Sequence, residues 1–151
     1  MSAPDIEVRP ASSQDYESVC RLLLQSGLPT SDLTSGVFSG FYVATEEEDV
    51  VGVGGLEQNG DFALLRSVVV RGGTRRQGIG VRLVRACLSR AFQLSLKAVY
   101  LIPNDDAAGK FFAHLGFSPI AREEVPTAIQ SLAEFTYLCP KTHPCLHKML
   151  N

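Results

Sequence analysis

Six consecutive residues, Arg75-Arg76-Gln77-Gly78-Ile79-Gly80, set two guanidinium groups beside two glycines, just where a β-branched run gives way to an apolar-periodic one. Glycine lets a ligand touch the backbone without meeting a Cβ, and the first amides of a helix present unpaired N–H groups and a positive dipole end. Such a loop wants an anion. Two arginines beside those amides suit a diphosphate better than a single carboxylate. Elsewhere, Glu57 and Asp61 stand near a hairpin end and could take up a proton directly or through water. Arg66 lies in an apolar strand between Leu65 and Val68, so it either pairs with a carboxylate of the acidic N-terminal half or holds the anionic part of a substrate. Cys139, His143, Cys145 and His147 carry metal-ligating atoms, but Cys-x-x-Cys spacing is absent and the stretch is terminal. It reads as a frayed tail over residues 141–151, and no metal is expected.

The elements around the loop follow from periodicity. Val68-Val69-Val70 reads as a strand end, Gly72-Gly73-Thr74 as a turn, and Ile79, Leu83, Val84, Cys87, Leu88 and Ala91 share one helical face. Strand, glycine loop and helix are thus expected in that order. The ATP-type loop is excluded because Gly78 is followed by Ile79 rather than lysine, and the dinucleotide type because Leu83 stands where a third glycine is needed.

At 151 residues and 45% hydrophobic content, the chain suits one domain burying roughly two thirds of its unfolded surface. No apolar run is long enough to span a bilayer and no basic-then-apolar leader opens the chain, which argues for a cytoplasmic protein without a membrane partner. The four cysteines are scattered, and those in helical stripes pack as small hydrophobes. Charge is uneven: residues 1–61 hold eleven acids against Arg9 and Arg21, whereas residues 62–97 hold seven arginines and Lys97 with no acid. A polyanion belongs near the second block. Nucleic acid is disfavoured by a pI near 5.9 and by the scarcity of aromatics among the basic residues.

In chain order, Ile6–Arg9 is a short strand, and Ser12 opens a helix whose buried stripe is Tyr16, Val19, Cys20 and Leu23, stopped at Gly27. Asp32 would cap a second short helix carrying Leu33, Val37 and Phe38. Phe41–Glu46, Val50–Glu57 and Phe62–Val70 form an antiparallel meander, with Asn59-Gly60 as a hairpin signal and Gly52, Gly54 and Gly55 marking a bulge or a close approach. Ala98–Leu101 follows a helix and so runs parallel to its neighbour. Asp105 and Asp106 open a helix through Phe112 that Gly116 closes, and Phe117–Ala121 pairs with Phe135–Cys139 in a closing hairpin.

The loop residues Arg75 to Gly80 match the Arg/Gln-x-x-Gly-x-Gly signature of the Gcn5-related N-acetyltransferase superfamily, and Phe112-x-x-x-Gly116-Phe117 matches its aromatic-x-x-x-Gly-Phe signature. The chain therefore resembles that superfamily over about residues 5–140. Within it, Leu64-Leu65-Arg66-Ser67, Phe111 to Phe117, Arg122 to Pro126, Glu134-Phe135 and Leu138-Cys139-Pro140 are similar to the subfamily encoded beside arsenic-resistance determinants. The resemblance implies an α/β fold: one central, twisted, mixed sheet flanked by helices in a single acetyltransferase domain over residues 1–140.

It also implies acetyl-CoA as cosubstrate. The diphosphate would lie against Arg75, Arg76, Gln77, Gly78, Ile79 and Gly80, the pantetheine and thioester against Val68, Val69 and Val70, and the CoA arm against Phe112. The acceptor would be the primary amine of a small amino-acid-like molecule, an arsenical or phosphinic analogue of glutamate among the candidates, with Arg66 for its acidic group and Glu57 as base. An ordinary amino acid, a polyamine or a protein N-terminus is the alternative, as is a CoA-binding module without turnover. That last option is motivated by two departures: Phe112 occupies the usual tyrosine position, and Leu64 the usual glutamate position. A homodimer is left open.

Overall fold

The computed structural model describes residues 5–72, 78–132, 135 and 144–150. Among these, seven strands form one sheet in the order β1-β2-β3-β4-β5-β7-β6: β1 Ile6–Pro10, β2 Phe41–Glu46, β3 Asp49–Asn59, β4 Phe62–Val70, β5 Ala98–Leu101, β6 Ser118–Ile120 and β7 Cys145–Met149. The strand runs after Phe41 are rich in valine and separated by turn residues, so they become the expected meander β2-β3-β4. β5 reaches the sheet through α3 (Ile79–Gln93) and pairs parallel with β4, while the other neighbours are antiparallel. The mixed sheet matches the expected fold class.

Alternation sends successive β4 and β5 side chains to opposite faces. Leu65, Val99 and Leu101 meet Val84, Cys87 and Ala91 of α3 and Phe112 of α4 (Asp106–His114), whereas Leu64, Ala98 and Tyr100 meet Val125 and Ile129, the latter on α5 (Thr127–Gln130). A third cluster joins α1 (Tyr16–Gln25) and α2 (Ser35–Phe38) to β2 and β3. The buried stripe of α1 is Val19, Leu22 and Leu23, with Tyr16 at the surface, because the helix follows a 3-10 turn over Ser13–Asp15 that rotates its register. Two strand glycines are explained by space: a Cβ on Gly55 would stand 2.2 Å from the Phe41 ring, and one on Gly52 3.0 Å from Leu83 of α3.

Three expectations are corrected. The last residues are no loose tail, since Cys145–Met149 is β7, bonded to β5 on one side and β6 on the other. Cys145 packs on one face of the sheet and Leu146 on the other, and burying both completes the two faces. The strand at Ser118–Ile120 therefore pairs with β7, and most of its expected partner, residues 136–139, lies outside the described residues. Finally, the cap of α2 is Thr34, whose hydroxyl accepts from the Val37 N–H; Asp32 is turned toward Arg66 instead.

Candidate active site

The site begins with an irregularity in β4. Val53 faces Val69 and Gly55 faces Arg66, so β4 places one extra residue in the interval, a bulge at Ser67–Val68. Ser67 holds a positive φ of 58°, a left-handed conformation seldom adopted by a residue other than glycine and concentrated at functional sites. β4 and β5 are paired only from Phe62/Ala98 to Leu64/Tyr100, and β4 then runs on to Val70 with no strand beside that edge among the described residues. A row of backbone groups is left open to a ligand.

The gap leads to the start of α3. Gly78 caps that helix with φ of 68°, so the loop can turn into it, and the amides of Ile79, Gly80 and Val81 precede the first intrahelical bond, Arg82 N–H to Gly78 carbonyl at 3.1 Å. Val68, Val69, Val70, Gly78, Gly80, Val81, Phe111 and Phe112 line one cavity of about 460 Å³ here. Asn104 and Asp105 close its far end, Asp105 capping α4 by accepting from Ala108 N–H at 2.8 Å. A smaller cavity of about 60 Å³, lined by Arg66, Ser67 and Leu101, shares Val68, Ala108 and Phe112 with it and extends the space into the strand gap. Together the two cavities join the amides at the start of α3 to the open edge of β4 and the bulge.

The sequence-derived site residues divide accordingly. Val68, Val69, Val70, Gly78, Gly80 and Phe112 come together around the cavity. Ile79 adds only its backbone, since its side chain is fully buried with Ala44, Val51 and Leu83. Arg75, Arg76 and Gln77 lie outside the described residues. Phe112 also belongs to the core, edge-on to Phe111 and Phe117. Of the tyrosines that could replace its missing hydroxyl, Tyr137 lies outside the described residues, and Tyr100 is packed between Phe62 and His147 with burial holding its phenol above the usual range.

Arg66 is the central cation. Its Nη1 and Nη2 donate to the two carboxylate oxygens of Asp32 at 2.5 and 2.8 Å, and Nη1 also donates to Glu57 Oε1 at 2.9 Å. Its Nε donates to Ser67 Oγ at 3.3 Å, tying the ion cluster to the bulge. Of the two options open to this arginine, pairing with acidic-half carboxylates is the one the geometry displays. Glu57 faces Leu64 across the β3–β4 ladder, and its Oε1 is joined to the Ser67 hydroxyl of the bulge through the single Arg66 guanidinium.

The sequence profile of the acetyltransferase (GNAT) family matches residues 8–117, most of the chain. The chain belongs to the GNAT acetyltransferase family. As a member it is an acetyl-CoA-dependent N-acetyltransferase. Similar solved structures include a GNAT acetyltransferase of Staphylococcus aureus, at 17% identity and TM-score 0.79 over 97% of this chain and 100% of that one. A Mycobacterium tuberculosis protein in complex with CoA is 24% identical, with TM-score 0.79 over 96% and 99% of the two chains. N-acetylglutamate synthase of Neisseria gonorrhoeae, complexed with coenzyme A and N-acetyl-glutamate, is 16% identical with TM-score 0.82, this acetyltransferase spanning 36% of its length. These likenesses establish the fold. No curated protein matches the chain, and the arsenic-resistance subfamily gains no support from any comparison.

Sequence reasoning missed Ser26, Leu28, Val81, Asn104, Asp105, Ala108 and Phe111 as lining residues, and Asp32 as a partner of Arg66. Asp105 was visible only as a helix cap. The described residues hold no group of three metal ligands, and no helix among them is long and apolar enough to cross a membrane.

Proposed function

We propose that this acetyltransferase acts in the cytoplasm on the primary amine of a small amino-acid-like molecule. The observation that carries the reading is the open edge of β4 with its bulge at Ser67, facing the start of α3 across one continuous cavity. The amides of Ile79, Gly80 and Val81 bind the diphosphate, with Arg75 and Arg76 as its cationic partners. Backbone groups of Val68, Val69 and Val70 hold the extended arm as an added strand would be held, and Phe111 and Phe112 cover its apolar side. A backbone N–H at the bulge donates to the thioester oxygen, where negative charge develops in the transition state. The acceptor nitrogen attacks the carbonyl carbon; the C–N bond forms as the C–S bond breaks, the electron pair leaves with sulfur, and the amine proton passes to water. Phe112 has no proton to give, so solvent protonates the thiolate. The arsenical and phosphinic acceptors draw no support from the site, because the guanidinium meant for their acidic group already holds Asp32 and Glu57.

Thiol release from acetyl-CoA, followed with a panel of amino acids, polyamines and peptide N-termini, tests the reading. At least one small primary amine should accelerate release well above the rate with buffer alone. Binding of acetyl-CoA with no acceleration by any amine would contradict it.

A further inference from the structure

A residue other than glycine stays in the left-handed region only when its surroundings hold it there. Ser67 takes φ of 58° inside β4 and is 6% exposed. The register against β3 puts an extra residue into this interval, and one side-chain bond braces the conformation it takes: Arg66 Nε donates to Ser67 Oγ at 3.3 Å. A brace works only if its own far end is fixed. The Arg66 guanidinium lies 5.9 Å over the Phe41 ring, and that ring fills the space a side chain on Gly55, the cross-strand partner of Arg66, would need. Nη1 and Nη2 hold Asp32 by two prongs, and Nη1 also reaches Glu57. Fully buried and anchored on three groups, Arg66 offers Ser67 a donor at a set place.

Resting on the reading that the thioester carbonyl meets a backbone N–H at the bulge, we propose that Arg66 and Ser67 are positioning residues for acetyl transfer. The guanidinium holds the Ser67 hydroxyl, the hydroxyl holds the left-handed turn, and the turn keeps the unpaired bulge amide aimed into the strand gap. Both residues line the small cavity in that gap with Val68, whereas the other end of the larger cavity is built by Gly78, Gly80 and Val81 on a different element. A shift of the bulge is therefore felt where the acyl group reacts and not where the diphosphate lies. Asp32 extends the device, because it belongs to the segment between α1 and α2 whose Leu28 lines both cavities. A donor turned away from the developing oxyanion loses stabilisation that the ground-state carbonyl hardly uses, so the effect falls on kcat rather than on KM.

Two substitutions at one position separate the conformation from the hydroxyl. Ser67→Ala removes the bond and keeps the Cβ that disfavours positive φ; Ser67→Gly removes the bond and frees the backbone to adopt it. The full chain is assayed by thiol release at saturating acetyl-CoA, with whichever amine of the acceptor panel is fastest, and its affinity for acetyl-CoA is measured by calorimetry. Ser67→Ala should lower kcat about tenfold, the weight of one hydrogen bond from a charged donor, with Kd for acetyl-CoA within about twofold of wild type. Ser67→Gly should lose less than about threefold, since glycine recovers the turn without the brace. If Ser67→Ala does not fold, Asp32→Asn loosens the guanidinium from its far end and should show the same split between kcat and Kd. A braceless variant, Ser67→Ala or Asp32→Asn, with wild-type kcat overturns the inference. So does a Ser67→Gly as slow as Ser67→Ala, which would place the chemistry in the hydroxyl and not in the backbone it holds. Either result leaves the acetyltransferase reading standing, whereas wild-type protein that binds acetyl-CoA but releases no thiol with any amine overturns both.

Discussion

Replacing Gly80 with leucine separates the binding of the diphosphate from the stability of the fold. Gly80 is the second residue of α3 and lines the larger cavity; a Cβ there would stand 3.3 Å from Phe111 Cζ and 3.7 Å from Val70 Cγ2. A methyl group is therefore accommodated by a small shift of one ring, but the rest of a leucine side chain must enter the space between the helix start and β4. Hydrogen bonds to a charged group contribute about 1.5–3 kcal/mol each. Holding the diphosphate off two of the three amides removes about 3–6 kcal/mol, at least 100-fold in Kd. Fold stability moves little, because exchanging glycine for leucine inside a helix gains roughly 0.8 kcal/mol of intrinsic propensity and offsets crowding against Phe111. Calorimetric titration with acetyl-CoA beside a thermal melt is the assay. A folded Gly80→Leu protein that binds acetyl-CoA within about threefold of wild type would remove the α3 amides from the diphosphate site.

Three further outcomes are expected. Arg66→Lys should lower stability by about 2 kcal/mol, since a lysine cannot hold Asp32 by two prongs while reaching Glu57 from a fully buried position; a thermal melt should show Tm falling by about 4–8 °C, and an unchanged Tm would mean the cluster is not structural. Asp15 accepts two bonds from the Arg9 guanidinium at 2.7 and 3.0 Å, and that bonding holds its carboxyl below the usual range. The ionised form is thus favoured by folding, so its contribution is present above the unfolded pKa and is lost as pH falls through the folded one. Asp15→Asn should melt about 3 °C lower at neutral pH, a loss of about 1 kcal/mol given the part-exposed arginine, and the gap should close in acid. Phe112→Tyr should leave kcat within a few-fold, and the wild-type rate should rise with pH to a plateau set by the acceptor amine; a large gain, or an alkaline fall near the tyrosine range of about 10, would reveal a side-chain acid.

α3 and its start at Gly78 were legible because their signals are local: a glycine and a change of hydrophobic period lie within a few residues of each other. So was the meander, whose turns are marked by Glu47-Glu48 and Asn59-Gly60. The bulge was not, because nothing in Leu65-Arg66-Ser67-Val68 announces that a serine will sit at positive φ; that conformation is imposed by the register on β3. Arg66 was identified as engaged, but its partner Asp32 lies 34 residues away in the loop before α2, where it also reads as a helix cap. The last strand was hidden for a similar reason: five residues without a period-2 pattern look like a tail until Ser118–Ile120 and Ala98–Leu101 leave a slot between them.

The most direct measurement is a crystal structure of the protein with a hydrolysis-resistant acetyl-CoA analogue. The diphosphate oxygens are expected within hydrogen-bonding distance of the amides of Ile79, Gly80 and Val81, and the carbonyl oxygen of the acyl group in the gap between β4 and β5 at Ser67–Val68. An analogue seated instead against Thr34, Gly40, Leu56 and Arg90, in the cavity of about 440 Å³ beyond the end of β2, would contradict the assignment of the site.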